Sequence, residues 1–300
     1  MPLSTIVRQI ARGFVMGSAD IVPGVSGGTV ALVLGIYGRL IENIQRGASA
    51  LRSLLSRDGS AAISKATSVE WGWLLSLLAG ILIAIATLSA LLEQLLEEHA
   101  IRTSAVFLGL IAGSIVVASQ LIRDRNVAHV AIAIVAAAAL FFVLGLRSDT
   151  HAVGPEIVTR PTWVFVLAGA LAICAMILPG ISGSFILVMI GMYTEIIGAV
   201  NDRNLAVLAA TGTGCVVGLA GFSTLLNWLL DRYHDIVIAA MVGLMLGSVR
   251  VLWPWPNGTS TTALSAPQHD VMIPFALIFI AAAVVIAVQR LSARSASSDS

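Results

Sequence analysis

Pro23-Gly24-Val25-Ser26-Gly27-Gly28 runs on to Gly35-Ile36-Tyr37, and Pro179-Gly180-Ile181-Ser182-Gly183-Ser184 runs on to Gly191-Met192-Tyr193. The same phrase is thus written twice, at a constant offset of 156 residues, each time inside an apolar stretch. Proline lacks an N–H and clashes with the preceding helical turn, so each copy frees backbone groups from helical bonding. In hydrocarbon, freed groups are costly unless protein buries them or they line a polar cavity. Two broken helices at matching positions of two halves are a sequence pointer to a transporter's central site.

Composition agrees with a membrane setting. The 300 residues are 58% hydrophobic and 11% charged, with a mean hydropathy of +0.95. These values describe an integral membrane protein. A bilayer crossing takes about 20 helical residues, and six stretches supply it: 71–92, 103–122, 127–146, 204–230, 236–252 and 271–290. The fifth is short and ends beside Arg250. A net charge of +1 argues against a nucleic-acid partner. Cys174 and Cys215 both fall in membrane segments as small apolar fillers, without metal or redox spacing. The apolar run after Arg8 and Arg12 is interrupted by Asp20 and Pro23, so it reads as retained structure and not as a cleaved signal.

The repeat extends beyond the first phrase. Gly109-Leu110-Ile111-Ala112-Gly113-Ser114 matches Gly243-Leu244-Met245-Leu246-Gly247-Ser248 at an offset of 134. An insertion at 46–70 absorbs the difference. The polar stretch 147–161, with Gly154, Pro155 and Pro161, reads as the linker between halves 1–150 and 151–300. The expected fold class is all-α and polytopic. Each half has a re-entrant Pro-Gly hairpin (13–41 and 162–197) followed by three transmembrane helices.

Charge decides between hairpin and crossing. If both broken segments dip and return from a cytoplasmic N-terminus, twelve basic residues lie inside and four outside, with Arg250 near the outer boundary. If both cross, the same sixteen divide eight to eight. Positive residues concentrate on the cytoplasmic side, which favours the hairpins and puts both termini in the cytoplasm. Residues 14–22 as helix reach only about 13 Å, short of a core about 30 Å thick. A hairpin plus three crossings inverts the second half, so the two elbows enter from opposite faces. Two ordinary Pro-kinked helices are the alternative.

Pro-Gly-x-Ser-Gly at a helix start offers N–H groups and a hydroxyl that can cradle an anion. The candidate substrate-binding residues are Asp20, Gly24, Ser26, Gly27, Gly28 and Thr29 of the first copy. Gly180, Ser182, Gly183 and Ser184 belong to the second, with Arg39 at the hairpin end. Close helix packing by small residues is the bland reading. Asp20 is the sole ionisable residue in 13–38, and a carboxylate at that depth points to a proton or cation carrier. Its counterpart at the repeat offset is Met176. Tyr37 and Tyr193 read as interfacial anchors. The 46–70 insertion, with Leu51, Leu54 and Leu55 beside Arg46, Arg52, Arg57 and Lys65, reads as a basic amphipathic helix on lipid or as a plain loop. Trp253-Pro254-Trp255-Pro256 reads as an interfacial loop, and 292–300 as a disordered tail.

Both Gly24-Val25-Ser26-Gly27 and Gly180-Ile181-Ser182-Gly183 fit the Gly-x-Ser-Gly of intramembrane serine proteases, whose serine needs a base within reach. His99, His129, His151, His234 and His269 all lie in expected loops or helix ends, so an enzyme is not expected. No metal or cofactor is expected either, beyond coupling to protons or Na⁺.

Gly17-Ser18-Ala19-Asp20-Ile21-Val22-Pro23-Gly24-Val25-Ser26-Gly27-Gly28-Thr29, followed by Leu34-Gly35-Ile36-Tyr37, resembles the hallmark of the PopT-type polyprenyl-phosphate transporter family of prokaryotes. The resemblance covers nearly the whole chain, and the second copy fits the family's internal repeat while lacking an Asp20 counterpart. It implies a flippase of the cytoplasmic membrane that recycles the undecaprenyl phosphate carrier lipid, from outer to inner leaflet, for cell-envelope synthesis. The alternative from the residues alone is an ion-coupled channel or exchanger for a small soluble anion.

Overall fold

A computed structural model describes residues 3–21, 26–146, 160–268 and 271–298. All regular elements among them are helical: α1 Leu3–Asp20, α2 Gly27–Val33, α3 Tyr37–Leu55, α4 Gly59–Thr67, α5 Trp71–Glu98, α6 Ala100–Ser119, α7 Val127–Gly145, α8 Thr162–Ile177, α9 Gly183–Met189, α10 Tyr193–Asn201, α11 Leu205–Arg232, α12 His234–Leu252 and α13 Met272–Ser298, with a 3₁₀ turn at Gly258–Ser260. Helix starts follow capping chemistry. Asp58, Asn126 and Asn204 each accept from a backbone N–H three residues on, at Ala61, His129 and Val207, which satisfies a donor left over at a helix start.

Among the described residues, six helices, α5, α6, α7, α11, α12 and α13, are long and apolar enough to cross a membrane. They are the six spans read from the sequence. At 1.5 Å per residue, the 28 residues of α5 or α11 reach about 42 Å. The bent pair α9–α10, angled by 116°, adds a seventh candidate as a broken span or a re-entrant loop.

Four helix pairings carry most of the packing: α1 on α5, α8 on α11, α7 on α12, and α13 on α6. The first two are made the same way. A Cβ on Gly13 would lie 2.0 Å from the Leu77 carbonyl oxygen, and one on Gly169 would lie 2.2 Å from that of Thr211. Gly80 and Gly214 face back onto Ile10 and Val166 at similar range. Small residues let membrane helices approach until backbone touches backbone. The other two pairings also match: Gly109 lies against Ile278 of α13 and Gly243 against Ala133 of α7. Helix α7 thus packs on α12, which lies later in the chain, and α13 packs back on α6. Helices α6 and α12 pack on each other in the middle, where Ile111, Met241 and Met245 are fully buried.

Several expectations from sequence need correction. Helix α1 begins at Leu3 and has 18 residues, about 27 Å, so the length argument built on residues 14–22 does not hold. Arg8 and Arg12 continue the helix and do not precede it. The 13–41 hairpin does not end at 41, because α3 runs to Leu55; residues 46–70 form the end of α3 and all of α4, packed on each other. Residues 292–298 continue α13. Trp255 is buried against Trp253 and Phe275, in the non-helical stretch after α12. The proposed linker at 147–161 lies outside the described residues up to 159.

Candidate functional site

Pro179 ends α8 and leaves carbonyls in its last turn without helical partners. Residues at the starts of α2 and α3 supply donors to them. The Ser26 hydroxyl donates to the Met176 carbonyl at 3.0 Å, and the Tyr37 hydroxyl donates to that of Ile177 at 3.1 Å. In return the Gly180 N–H donates to the Thr29 hydroxyl at 3.1 Å. Gly180 has φ +89°, a left-handed conformation that glycine adopts without penalty. Its missing side chain also lets α12 approach, since a Cβ there would sit 2.8 Å from Met245 backbone.

The first elbow is knit locally as well. Ser26 caps α2, its hydroxyl accepting from the Gly28 N–H at 3.1 Å. The Asp20 carboxylate accepts from the Gly27 N–H at 2.6 Å. A side chain on Gly27 would overlap Asp20, and one on Gly28 would overlap the Ile177 carbonyl. The glycines are thus needed for contact as much as for turning.

Three hollows adjoin this junction. A cavity of about 160 Å³ lies where α1, α2 and α3 meet α8, lined by Asp20, Gly27, Gly28, Tyr37 and Met176. Tyr37 also lines a polar vestibule of about 690 Å³ with Glu42, Arg46, Arg123, Asp231 and His234. There Arg46 pairs with Glu42. Asp235 accepts from the backbone N–H groups of Arg123 and Asp124 at 3.1 and 2.9 Å, which ties the α6–α7 turn to the start of α12. The third hollow is an apolar crevice that Thr29 shares with α1, α5, α6 and α13.

The structure brings Asp20, Ser26, Gly27, Gly28, Thr29 and Gly180 to one place. Ser182 and Ser184 bond to each other, hydroxyl to hydroxyl at 2.7 Å, and Gly183 lies against the Ala172 carbonyl of α8. Arg39 is engaged elsewhere, paired with Glu70 and lying over Trp73 at 4.9 Å. Gly24 lies outside the described residues, as do Pro23, His151 and His269.

Residues 16–270 match the family described as VCA0040-like, undecaprenyl phosphate translocase-like. The chain belongs to this family. A "polyprenyl-phosphate transporter" of Vibrio cholerae serotype O1 (strain ATCC 39315 / El Tor Inaba N16961) is 41% identical over 259 residues, covering 86% of this chain and 81% of the relative. A protein of the same name from Staphylococcus aureus (strain NCTC 8325 / PS 47) is 30% identical over 261 residues, covering 82% and 86%. No solved structure matches. It is a transporter family and not one of enzymes, as read from the sequence.

Within this translocase-like chain, Tyr37 takes a place that its sequence position does not suggest. Tyr37 was expected at the interface, yet it is 4% exposed and bonds across the elbow junction. The available signal was Pro179, which orphans carbonyls that some donor has to reach. Tyr193, its counterpart in the repeat, stays partly exposed.

Proposed function

We propose that this protein carries polyprenyl phosphate, with undecaprenyl phosphate as the preferred form, across the prokaryotic cytoplasmic membrane, and that the junction of the two elbows is where the headgroup passes. The observation that carries this reading is the Gly180–Thr29 bond together with Ser26 on Met176. Polar groups of both halves meet among apolar helices, where they would be costly without a role. A flipped lipid keeps its tail in hydrocarbon but must bring a charged headgroup through it, a step that costs several kcal/mol or more. Groups around Asp20, Ser26, Gly27, Gly28, Thr29 and Gly180, with Gly24, Ser182, Gly183 and Ser184 beside them, replace the water that the phosphate loses. Arg39 stands at the cytoplasmic end of that path.

In this reading the Asp20 carboxylate occupies the Gly27 N–H while the site is empty. An arriving phosphate competes for the same donor, and Asp20 yields it when protonated or paired with Na⁺. That exchange couples transport to the cation. The halves act as inverted repeats with both termini cytoplasmic, and the paired helix contacts made twice support that arrangement. The polar vestibule holding Arg46 and Arg123 is then the cytoplasmic exit.

The test is flipping of undecaprenyl phosphate in vesicles holding the purified protein. Asp20→Asn and Ser26→Ala are expected to lower the rate at least tenfold, in the range where loss of one charge-stabilising contact falls, while the folded yield is kept. Competition by lipid phosphate but not by inorganic phosphate separates a lipid carrier from a soluble-anion exchanger. Wild-type rates in both variants would remove the elbows from the mechanism.

A further inference from the structure

The apolar crevice lies between α1, α2, α5, α6 and α13. It has a volume of about 300 Å³, at the lower end of ligand pockets. Its mouth is formed by Val15, Leu91, Val284 and Val288, all at least 42% exposed on the outer surface of the helices. Its floor is buried and reaches Ile111 and Thr29. The Ser18 and Ser114 hydroxyls on its walls donate to the Phe14 and Leu110 carbonyls of their own helices. Among the described residues, both serine hydroxyls on the crevice walls are thus taken up within their own helices, and hydrocarbon is the matching occupant. Its one junctional residue is Thr29, the side chain that also holds Gly180 of the opposite elbow.

The second half shows why this space is open. At the 156-residue offset Thr29 corresponds to Phe185 and Val33 to Met189. There Phe185 and Met189 are packed with Leu140, Leu144 and Val251 into a core cluster. A threonine in place of a phenyl ring leaves room in the first half, and it puts a hydroxyl at the deep end. An apolar slot open to lipid and ending at the headgroup junction fits an amphiphile with one chain and a small polar head.

We infer that the crevice between α1, α2, α5, α6 and α13 seats the prenyl chain next to its phosphate, with the mouth at Val15 and Val284 letting the rest of the chain trail into lipid. This rests on the transport reading above and adds to it where the tail lies. It assigns tail selectivity to Val33, Leu110 and Val285, and to none of the residues proposed for the headgroup.

Two measurements test it. In vesicles, undecaprenyl phosphate carrying a photoreactive diazirine in its first isoprene units is expected to label α2, α6 and α13. Excess unlabelled undecaprenyl phosphate should suppress that labelling, and excess phosphatidic acid should not. Labelling suppressed equally by phosphatidic acid, or spread over the outer helix faces, would make the crevice an ordinary lipid groove and overturn the inference. Separately, Val33→Trp and Val285→Trp fill the slot and are expected to lower both labelling and flipping about tenfold or more, as pocket misfits do, with thermal unfolding unchanged. Labelling and flipping at wild-type levels in both variants would also overturn it. Failure of the unaltered protein to flip undecaprenyl phosphate, with crevice labelling intact, would instead sink the transport reading and leave the chain site standing.

Discussion

The Gly180 amide donates to the Thr29 hydroxyl at 3.1 Å across 151 residues of sequence. Pro179 has already broken α8, so this N–H has lost its place in the helical ladder. A hydrogen bond between helices in a membrane contributes about 0.6 kcal/mol on average and up to about 1.7. This one belongs at the upper end, because the donor is buried and has no second acceptor in its own helix.

Thr29→Val keeps the shape and removes the acceptor. We expect a loss of about 1–2 kcal/mol in unfolding free energy, read from denaturation in detergent, with Thr29→Ser restoring most of it. Equal stability in the two variants would mean that the hydroxyl does not hold the second elbow.

Tyr37→Phe removes the donor to the Ile177 carbonyl while keeping the buried ring. The expected cost is about 1 kcal/mol. Tyr193→Phe serves as the comparison: its ring is 39% exposed, and a change within about 0.5 kcal/mol is expected at such a surface. Matching midpoints for the two would argue that the Tyr37 hydroxyl is satisfied without Ile177.

The glycines divide sharply. Gly13→Ala and Gly169→Ala each drive a Cβ into the carbonyl of a facing helix, and overpacking of this kind costs about 1–3 kcal/mol. Gly38 and Gly212 have nothing within 4 Å of the added carbon, so alanine there is neutral or stabilising by up to about 1 kcal/mol. Detergent thermal shifts of the four variants give the comparison. Similar losses at all four positions would count against backbone-to-backbone packing of α1 on α5.

Glu70 offers a pH signature. The Arg39 guanidinium, helped by the Asn43 amide, holds its carboxyl below the ordinary glutamate value of 4.5. A depressed folded value means the contribution is complete above 4.5 and fades as acid brings the pH down through the folded value. The pair is exposed, so the effect is small, at most about 1 kcal/mol. Glu70→Gln should flatten the acid limb of a stability–pH curve and lower neutral stability by no more than that amount. It also frees Arg39: if that arginine meets the headgroup, transport at neutral pH rises or holds, whereas Arg39→Gln lowers it.

Much of this arrangement can be read without coordinates. Hydropathy sums over neighbouring residues, so six membrane helices were visible at 71–92, 103–122, 127–146, 204–230, 236–252 and 271–290. The second Pro-Gly phrase announced the end of α8 and the short helices after it, because proline and glycine act on the backbone beside them. Asp20 stood out as a lone carboxylate in an apolar run. Apolar character alone places a helix over 14–22, whereas α1 starts at Leu3, because an amphipathic helix carries residues such as Arg8 and Arg12 on its open face.

What needed the tertiary structure was the choice of partners. Nothing local tells Ser26 to bond Met176, or Tyr37 to turn inward while Tyr193 stays out. Nor does it tell α7 to pack on α12 and α13 on α6. Those outcomes follow from backbones approaching at Gly13, Gly109, Gly169 and Gly243, which bring residues about 150 positions apart into contact. The open crevice is of the same kind: a threonine at 29 and a phenylalanine at 185 differ by one ring in the sequence, and only the packing around them turns that ring into a filled core on one side and a slot for a lipid chain on the other.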